Sequence, residues 1–330
     1  MSTLLCRTTV TAISAALLLA SATGAASAEP SSKAITCEDS TSNGDTFYHG
    51  KSASYAYDER FSTGPELSGA ELDAFTPQGA AWLENYSGSK DILLATTYSD
   101  DATISHIVGL DPSKSGENAT IGTVRIDKSH VGGIAVHGDW VFVSGAGHTI
   151  QKYKVSDVKA GIEKGKPGTD GKPRIEPVGK DREVYGSSFL SVDGNHLYAG
   201  KFNDSDRDKM YRYKIGSDGS LTTESGAWEV PTKTQGLFVH DGKIVYSTSY
   251  GRGNRSNVYS VKADVKDLDQ ASPNCFRAPS MAEGITKAPN GNAYLLFESG
   301  SHQYDGTDGE KARNVIPGFH KAKVTSLTSY

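Results

Sequence analysis

The sequence predicts an all-β fold, a five-bladed β-propeller with four-stranded blades, and three observations predict it. An anchor motif returns five times at steps of 48 to 55 residues. Each anchor is followed by a tight-turn signal and then by an apolar strand. The last repeat stops one strand short, while the chain before the first anchor stands where that strand is needed. Self-similarity at this period in a strand-rich chain marks a propeller with one blade per repeat.

The anchors read Gln78-Gly79-Ala80-Ala81-Trp82, Gly132-Gly133-Ile134-Ala135-Val136, Ser187-Ser188-Phe189-Leu190-Ser191, Gln235-Gly236-Leu237-Phe238-Val239 and Glu283-Gly284-Ile285-Thr286-Lys287. Each begins an inner strand. Asp193-Gly194, Asp241-Gly242 and Asn290-Gly291 then supply hairpin turns, because Gly accepts positive φ at little cost. Second strands follow as β-branched or aromatic runs: Ile92–Ala95, Trp140–Val143, His196–Ala199, Ile244–Ser247 and Tyr294–Phe297. Third strands are expected at Ile104–Val108, Ile150–Lys154, Met210–Lys214, Asn257–Val261 and Val324–Thr328, where apolar and polar residues alternate in most copies. Fourth strands are expected at Gly122–Ile126, Arg182–Tyr185, Ala227–Val230 and Cys275–Ala278. Glu71–Phe75 has the fourth-strand position relative to Gln78, so an N-terminal strand is expected to close the ring and leave no open seam. A sixth blade from residues 30–66 is the alternative, but that stretch lacks both anchor and apolar second strand. Lys164–Lys172, rich in Gly and Lys, reads as a loop between outer strands.

Three segments are therefore expected: a secretory signal peptide over 1–28, an N-terminal arm over 29–66 and the propeller over 67–330. Arg7 precedes an apolar run from Val10 to Ala22, which ends in the small-residue site Ala26-Ser27-Ala28. That core is short for a membrane span, and no second apolar run of spanning length occurs. The expected product is secreted and extracellular, with a retained N-terminal anchor as the alternative. Loss of Cys6 with the leader would leave Cys37 and Cys275, an even pair that reads as a disulfide tying the arm to the fourth blade. Net charge is −5 without a basic stripe, which argues against a nucleic-acid partner.

Propeller chemistry gathers where inner strands start and second strands end. At those places stand Gln78, His130, Gln235 and Glu283, and then Tyr98, His148, Asn203, Tyr250, Arg252, Glu298 and His302. Glu283 and Glu298 belong to one blade and should approach each other. They could hold Ca²⁺ together with amides such as Asn203 and Gln235, or act as an acid/base pair. Arg252 and Arg255 can grip a carboxylate, sulfate or phosphate, and Tyr98 and Tyr250 can stack on a sugar ring or a base. The histidines match no zinc spacing, and no Gly-x-Ser-x-Gly elbow offers a serine nucleophile. For any one of these residues, a solvated or structural role competes with a functional one.

The opening Glu283-Gly284-Ile285, followed by Asn292 to Glu298, resembles inner blades of the strictosidine-synthase-like and gluconolactonase-like propellers. That resemblance implies a divalent metal in the channel, with Glu283 and Asn203 as two of its ligands. Five-bladed glycoside hydrolases use three carboxylates, including an Arg-Asp-Pro motif that this chain lacks. Five-bladed lectins reuse one sugar site per blade, whereas the leading anchor residue here runs Gln, Gly, Ser, Gln, Glu. A single asymmetric site is therefore expected, binding an extracellular polar ligand such as carbohydrate or cell-wall material. The alternatives are a metal-assisted hydrolase or lyase using Glu283, Glu298, His130 and Arg252, and a protein-interaction scaffold.

Overall fold

The computed structural model of the protein describes residues 33–99, 101, 103–167, 171–307 and 309–330. The expected signal peptide lies outside them. The arm leads through α1 (Tyr55–Arg60) and β1 (Phe61–Glu66) to α2 (Gly69–Leu72). Blade one is β2 (Phe75–Ser87), β3 (Lys90–Ser99), β4 (Ser105–Leu110) and β5 (Thr120–Ile126). Blade two is β6 (Ile134–His137), β7 (Trp140–Ser144) and β8 (Thr149–Lys154), then α3 (Val155–Lys164) and the short β9 (Arg182–Glu183). Blade three is β10 (Phe189–Asp193), β11 (His196–Gly200), β12 (Asp208–Ile215) and β13 (Leu221–Val230). Blade four is β14 (Thr234–His240), β15 (Lys243–Thr248), β16 (Ser256–Lys262) and β17 (Asn274–Ala278). Blade five comprises β18 (Ala282–Lys287), β19 (Asn292–Phe297) and β20 (Gly318–Lys323), and α4 (Val324–Thr328) follows.

Five four-stranded antiparallel sheets result, and the fifth has the order β1-β20-β19-β18. Its outer strand is thus N-terminal, with Phe61 opposite Ala322. The segment differs from the expected one. Residues 61–66, read from sequence as arm, form this strand, while Glu71–Phe75 is divided between α2 and the start of β2. Ser68 explains the difference: its hydroxyl accepts from Glu71 N and nucleates one helical turn. Glu71 then turns inward and accepts from Thr97 Oγ1 (2.6 Å) and pairs with His106 Nδ1 (2.8 Å).

The third strand of blade five also moves. Val324–Thr328 is helical, and β20 lies just before it. Its buried residues are Val324 and Leu327, spaced three apart as on a helix face. The Ser326 and Thr328 hydroxyls donate to Lys323 O and Val324 O, as local hydroxyl–backbone bonds do at helix ends. The expected fourth strand Arg182–Tyr185 is only two residues long, and Lys164 ends α3 instead of opening a loop.

Five apolar clusters fill the five interfaces between neighbouring blades. Ile92 and Leu94 of β3 pack against Val141 and Val143 of blade two, while Leu93 and Ala95 pack against Tyr294 and Leu296 of blade five. Alternate side chains point to opposite faces, and each blade is covered on both. The second strands are therefore continuously apolar. Cys37 and Cys275 are disulfide-bonded, with Cα atoms 4.4 Å apart. The arm continues alongside β17, where Glu38 N donates to Cys275 O (2.7 Å) and Arg277 N to Glu38 O (3.0 Å). Among the described residues, no helix is long and apolar enough to cross a membrane.

Around the axis the inner strands approach closely, and the repeated glycine permits it. A Cβ on Gly284 would lie 2.5 Å from Ala80 N, and one on Gly133 would lie 2.4 Å from Leu190 N. Neighbouring backbone occupies the space a side chain would need.

Candidate functional site

Where the inner strands begin, a cavity of about 720 Å³ opens on the axis. Of the eleven residues predicted from sequence, nine line it: Gln78, Tyr98, His130, His148, Gln235, Tyr250, Arg252, Glu283 and Glu298. Strand pairing explains the meeting of the two acids. Ala282 sits opposite Phe297, and Glu298 N donates to Met281 O (3.1 Å), so both carboxyls emerge at one end of blade five.

Backbone strain marks the same level. Val131 (φ 46°), Lys233 (φ 67°) and Met281 (φ 62°) are left-handed residues just upstream of β6, β14 and β18. For a β-branched residue such as Val131 this conformation is a true outlier. Each is held by a bond to its carbonyl, from Thr96 Oγ1 (2.7 Å), Ser249 N (3.0 Å) and Glu298 N (3.1 Å) respectively. Strain that surrounding bonds over-determine is characteristic of functional sites.

The floor is a polar row across three blades. Gln235 Nε2 donates to Glu283 Oε1 (2.9 Å), and Gln78 Nε2 donates to Glu298 Oε2 (2.9 Å). The two carboxyls hydrogen-bond each other. Glu283 is 1 % exposed. Burial, then the neighbouring Glu298 charge, holds its carboxyl well above the usual range. Burial also pushes Glu298 up, to about 7, against the opposing pull of Gln78, Glu283 and Arg252. Burial thus holds both carboxyls toward their protonated forms.

Above this row stand Tyr98 and Tyr304, and burial beside Glu298 and Glu283 raises the Tyr98 hydroxyl to about 12. The His130 ring lies 4.6 Å from that of Tyr98, and the Arg252 guanidinium 4.9 Å from that of Tyr304. His130 opens to the cavity, yet the surrounding walls desolvate it and lower its pKa, which keeps the ring neutral. Blades two and three contribute the small residues Gly132, Gly145, Gly147, Ser187 and Ser188 alongside His130, His148 and Phe202.

Two expected residues stand apart. Asn203 Oδ1 accepts from Ser205 N and Asp206 N (both 3.0 Å), a local turn, and the residue is not part of the cavity lining. His302 N donates to Leu72 O (2.8 Å), which seats that residue against α2. Tyr304, which the sequence reading omitted, belongs to the loop 298–317 between β19 and β20. That loop has no counterpart in the other repeats, so the period did not point to it.

The donor set does not fit the metal that the family resemblance implies. Asn203 is elsewhere, both nearby amides present N–H groups to the carboxyls, and the carboxyls are engaged with each other. Among the described residues, no group of three or more His, Cys, Asp or Glu is placed to hold a metal ion.

No family model matches the chain, and no curated protein matches it. Solved propellers do. A gluconolactonase from Xanthomonas campestris is 13 % identical over 79 % of this chain and 94 % of its own, with a TM-score of 0.39. A quinoprotein alcohol dehydrogenase-like protein from Bacteroides thetaiotaomicron is 13 % identical over 67 % of this chain and 50 % of its own (TM-score 0.31). BBS1N, solved in complex with ARL6DN, is 12 % identical over 76 % of this chain (TM-score 0.34), and this chain spans 62 % of its length. The similarity is one of fold.

Proposed function

We propose that the polar channel mouth binds one polar ligand and that the ligand is a carbohydrate. The observation that carries this reading is the combination of surfaces in the cavity. Aromatic rings of Tyr98, Phe202 and Tyr250 line it together with the amides of Gln78 and Gln235 and the carboxyls of Glu283 and Glu298, and Gly and Ser residues leave room between them. Tyr250 is 50 % exposed and Phe202 stands 6.4 Å from it. Sugars need this combination, a ring face to stack on and polar groups to bond hydroxyls. The extracellular setting belongs to the same proposal and rests on the apolar leader and the disulfide.

A panel of neutral sugars and sugar acids, screened by thermal shift, is the test. A ligand at a hundred times its Kd adds about 2.7 kcal/mol. Tyr250→Ala should remove the shift, because the ring leaves little behind to stack on. No shift with any sugar, or an unchanged shift in Tyr250→Ala, contradicts the reading.

The adjacent, buried carboxyls of Glu283 and Glu298 favour a second reading, in which the bound ligand is also turned over by a hydrolase or lyase. A carboxyl with a pKa near neutrality can both take and give a proton, and His130 and Arg252 flank it. No metal is required of this chemistry. Glu298→Gln keeps the hydrogen bonds and removes the titration, so it should retain sugar binding and abolish turnover. Equal turnover in Glu298→Gln and the wild type eliminates the acid/base role.

The pair also sets a pH dependence of stability. Both carboxyls have raised folded-state pKa values, and the contribution of Glu298 is fully present below the unfolded value near 4.5 and is lost as pH rises through about 7. The wild type should therefore gain up to about 3 kcal/mol from this pair between pH 8 and 5. Glu298→Gln should flatten that part of the profile. Identical pH–Tm curves for the two proteins would show that the carboxyls are not protonated together.

A further inference from the structure

Beside the central cavity, and sharing Tyr250 with it, lies a second pocket of about 430 Å³ at the same end of blade four. Four cations line it: Lys233, Arg255, Arg277 and Arg313. They come from the start of β14, the loop before β16, β17 and the loop before β20, so the topology concentrates them from well-separated stretches of chain. Like charges are costly to gather unless something compensates them. Two carboxylates face the group, both on the arm: Asp39, 3.6 Å from Arg255 Nη2, and Glu38, whose field also reaches Arg255.

The remaining contacts leave donors unspent. Arg277 Nη1 donates to Asn257 Oδ1 (2.7 Å), but its Nε is buried without a partner. Lys233 Nζ lies over the Tyr250 ring, 5.3 Å from its centroid. Among the described residues, Lys233, Arg277 and Arg313 make no ion pair. Burial, followed by the charges of Arg277 and Arg313, lowers the Arg255 pKa, the mark of a positive cluster short of anions. Thr248, Ser249 and Asn254 add neutral polar groups to the wall.

We infer that this pocket is an anion-binding subsite, and that the ligand of the central cavity is an acidic saccharide whose carboxylate or sulfate sits here. The second half of that inference rests on the carbohydrate reading above; the first does not. Planar guanidinia bond such oxyanions bidentately, and Tyr250 forms the shared wall on which the sugar ring passes from one pocket to the other.

The test is a chemical-shift titration of the intact protein with sodium sulfate, glucuronate and glucose. Sulfate and glucuronate should bind the wild type, and Arg313→Gln should weaken both about tenfold while leaving glucose unchanged. Arg313 is exposed, so this variant should fold even if Arg277→Gln does not. Sulfate and glucuronate affinities that do not respond to Arg313→Gln overturn the subsite. Glucose binding as tightly as glucuronate overturns the acidic-saccharide assignment but leaves the carbohydrate reading standing. Sulfate binding that is lost in Arg313→Gln, with no sugar bound at all, supports the subsite and removes the carbohydrate reading.

Discussion

Gly284→Ala is expected to destabilise the protein by about 3 kcal/mol or more, the upper range for overpacking a rigid site. The added Cβ would lie 2.5 Å from Ala80 N, 2.9 Å from Gly79 C and 3.0 Å from Ala80 Cβ. Two of these atoms are backbone of the next inner strand, which cannot swing aside as a side chain could. Nor is there slack at the neighbouring junctions, where a Cβ on Gly79 would lie 3.0 Å from Ile134 N and one on Gly236 2.7 Å from Ile285 N. Relief at one junction is compression at another around the ring. Gly44→Ala, with nothing within 4 Å of the added atom, is the control and should be near neutral. Equal denaturant midpoints for the two variants would mean that the inner strands are not held by mutual backbone contact. The glycine position is thus steric, while the residue before it, Gln78, Gln235 or Glu283, lines the central cavity.

The second large effect should come from the disulfide. Replacing Cys37 and Cys275 together by serine is expected to lower stability by about 2–5 kcal/mol. The bond joins residues 238 apart, so the loop it removes from the unfolded chain is nearly the whole propeller. It also fixes the arm where Ser54 Oγ donates to Arg277 O (2.6 Å) and the Tyr57 hydroxyl meets His320 Nδ1 (2.6 Å). Arm and ring should therefore lose order together in the double-serine protein. The check is a melting curve of the wild type with and without reductant, with thiol labelling to prove reduction. A fully reduced protein with an unchanged Tm contradicts the expectation.

Strand positions were legible wherever burial on both faces made the chain continuously apolar, as in Ile92–Ala95 and Tyr294–Phe297. They were less legible where local hydrogen bonding competed with the pattern. Val324–Thr328 has strand-forming residues, yet its hydroxyls bond back to the preceding turn. Glu71–Phe75 follows a capping serine that its composition does not advertise. The helix α3 escaped because it interrupts one blade only, and a repeat-based reading discounts what does not recur. The site divides along the same line. Anchor residues and Glu298 hold repeat-defined positions, and the structure brings them together. Asn203 also follows a second strand, but its amide is consumed by the acidic turn it opens. Tyr304 rides on an insertion, and only the fold returns it to Tyr98.

The pairing of β1 with β20 also orders assembly. Phe61 meets Ala322 across almost the entire sequence, so the first strand of the propeller is the last to find its place. Blades one to four draw their strands from contiguous chain and can pair locally; blade five cannot, and such distant pairing is slow. Until Gly318–Lys323 arrives, β1 and β19 both present unpaired edges. One strand caps both at once, which makes its arrival the step that turns a row of blades into a ring.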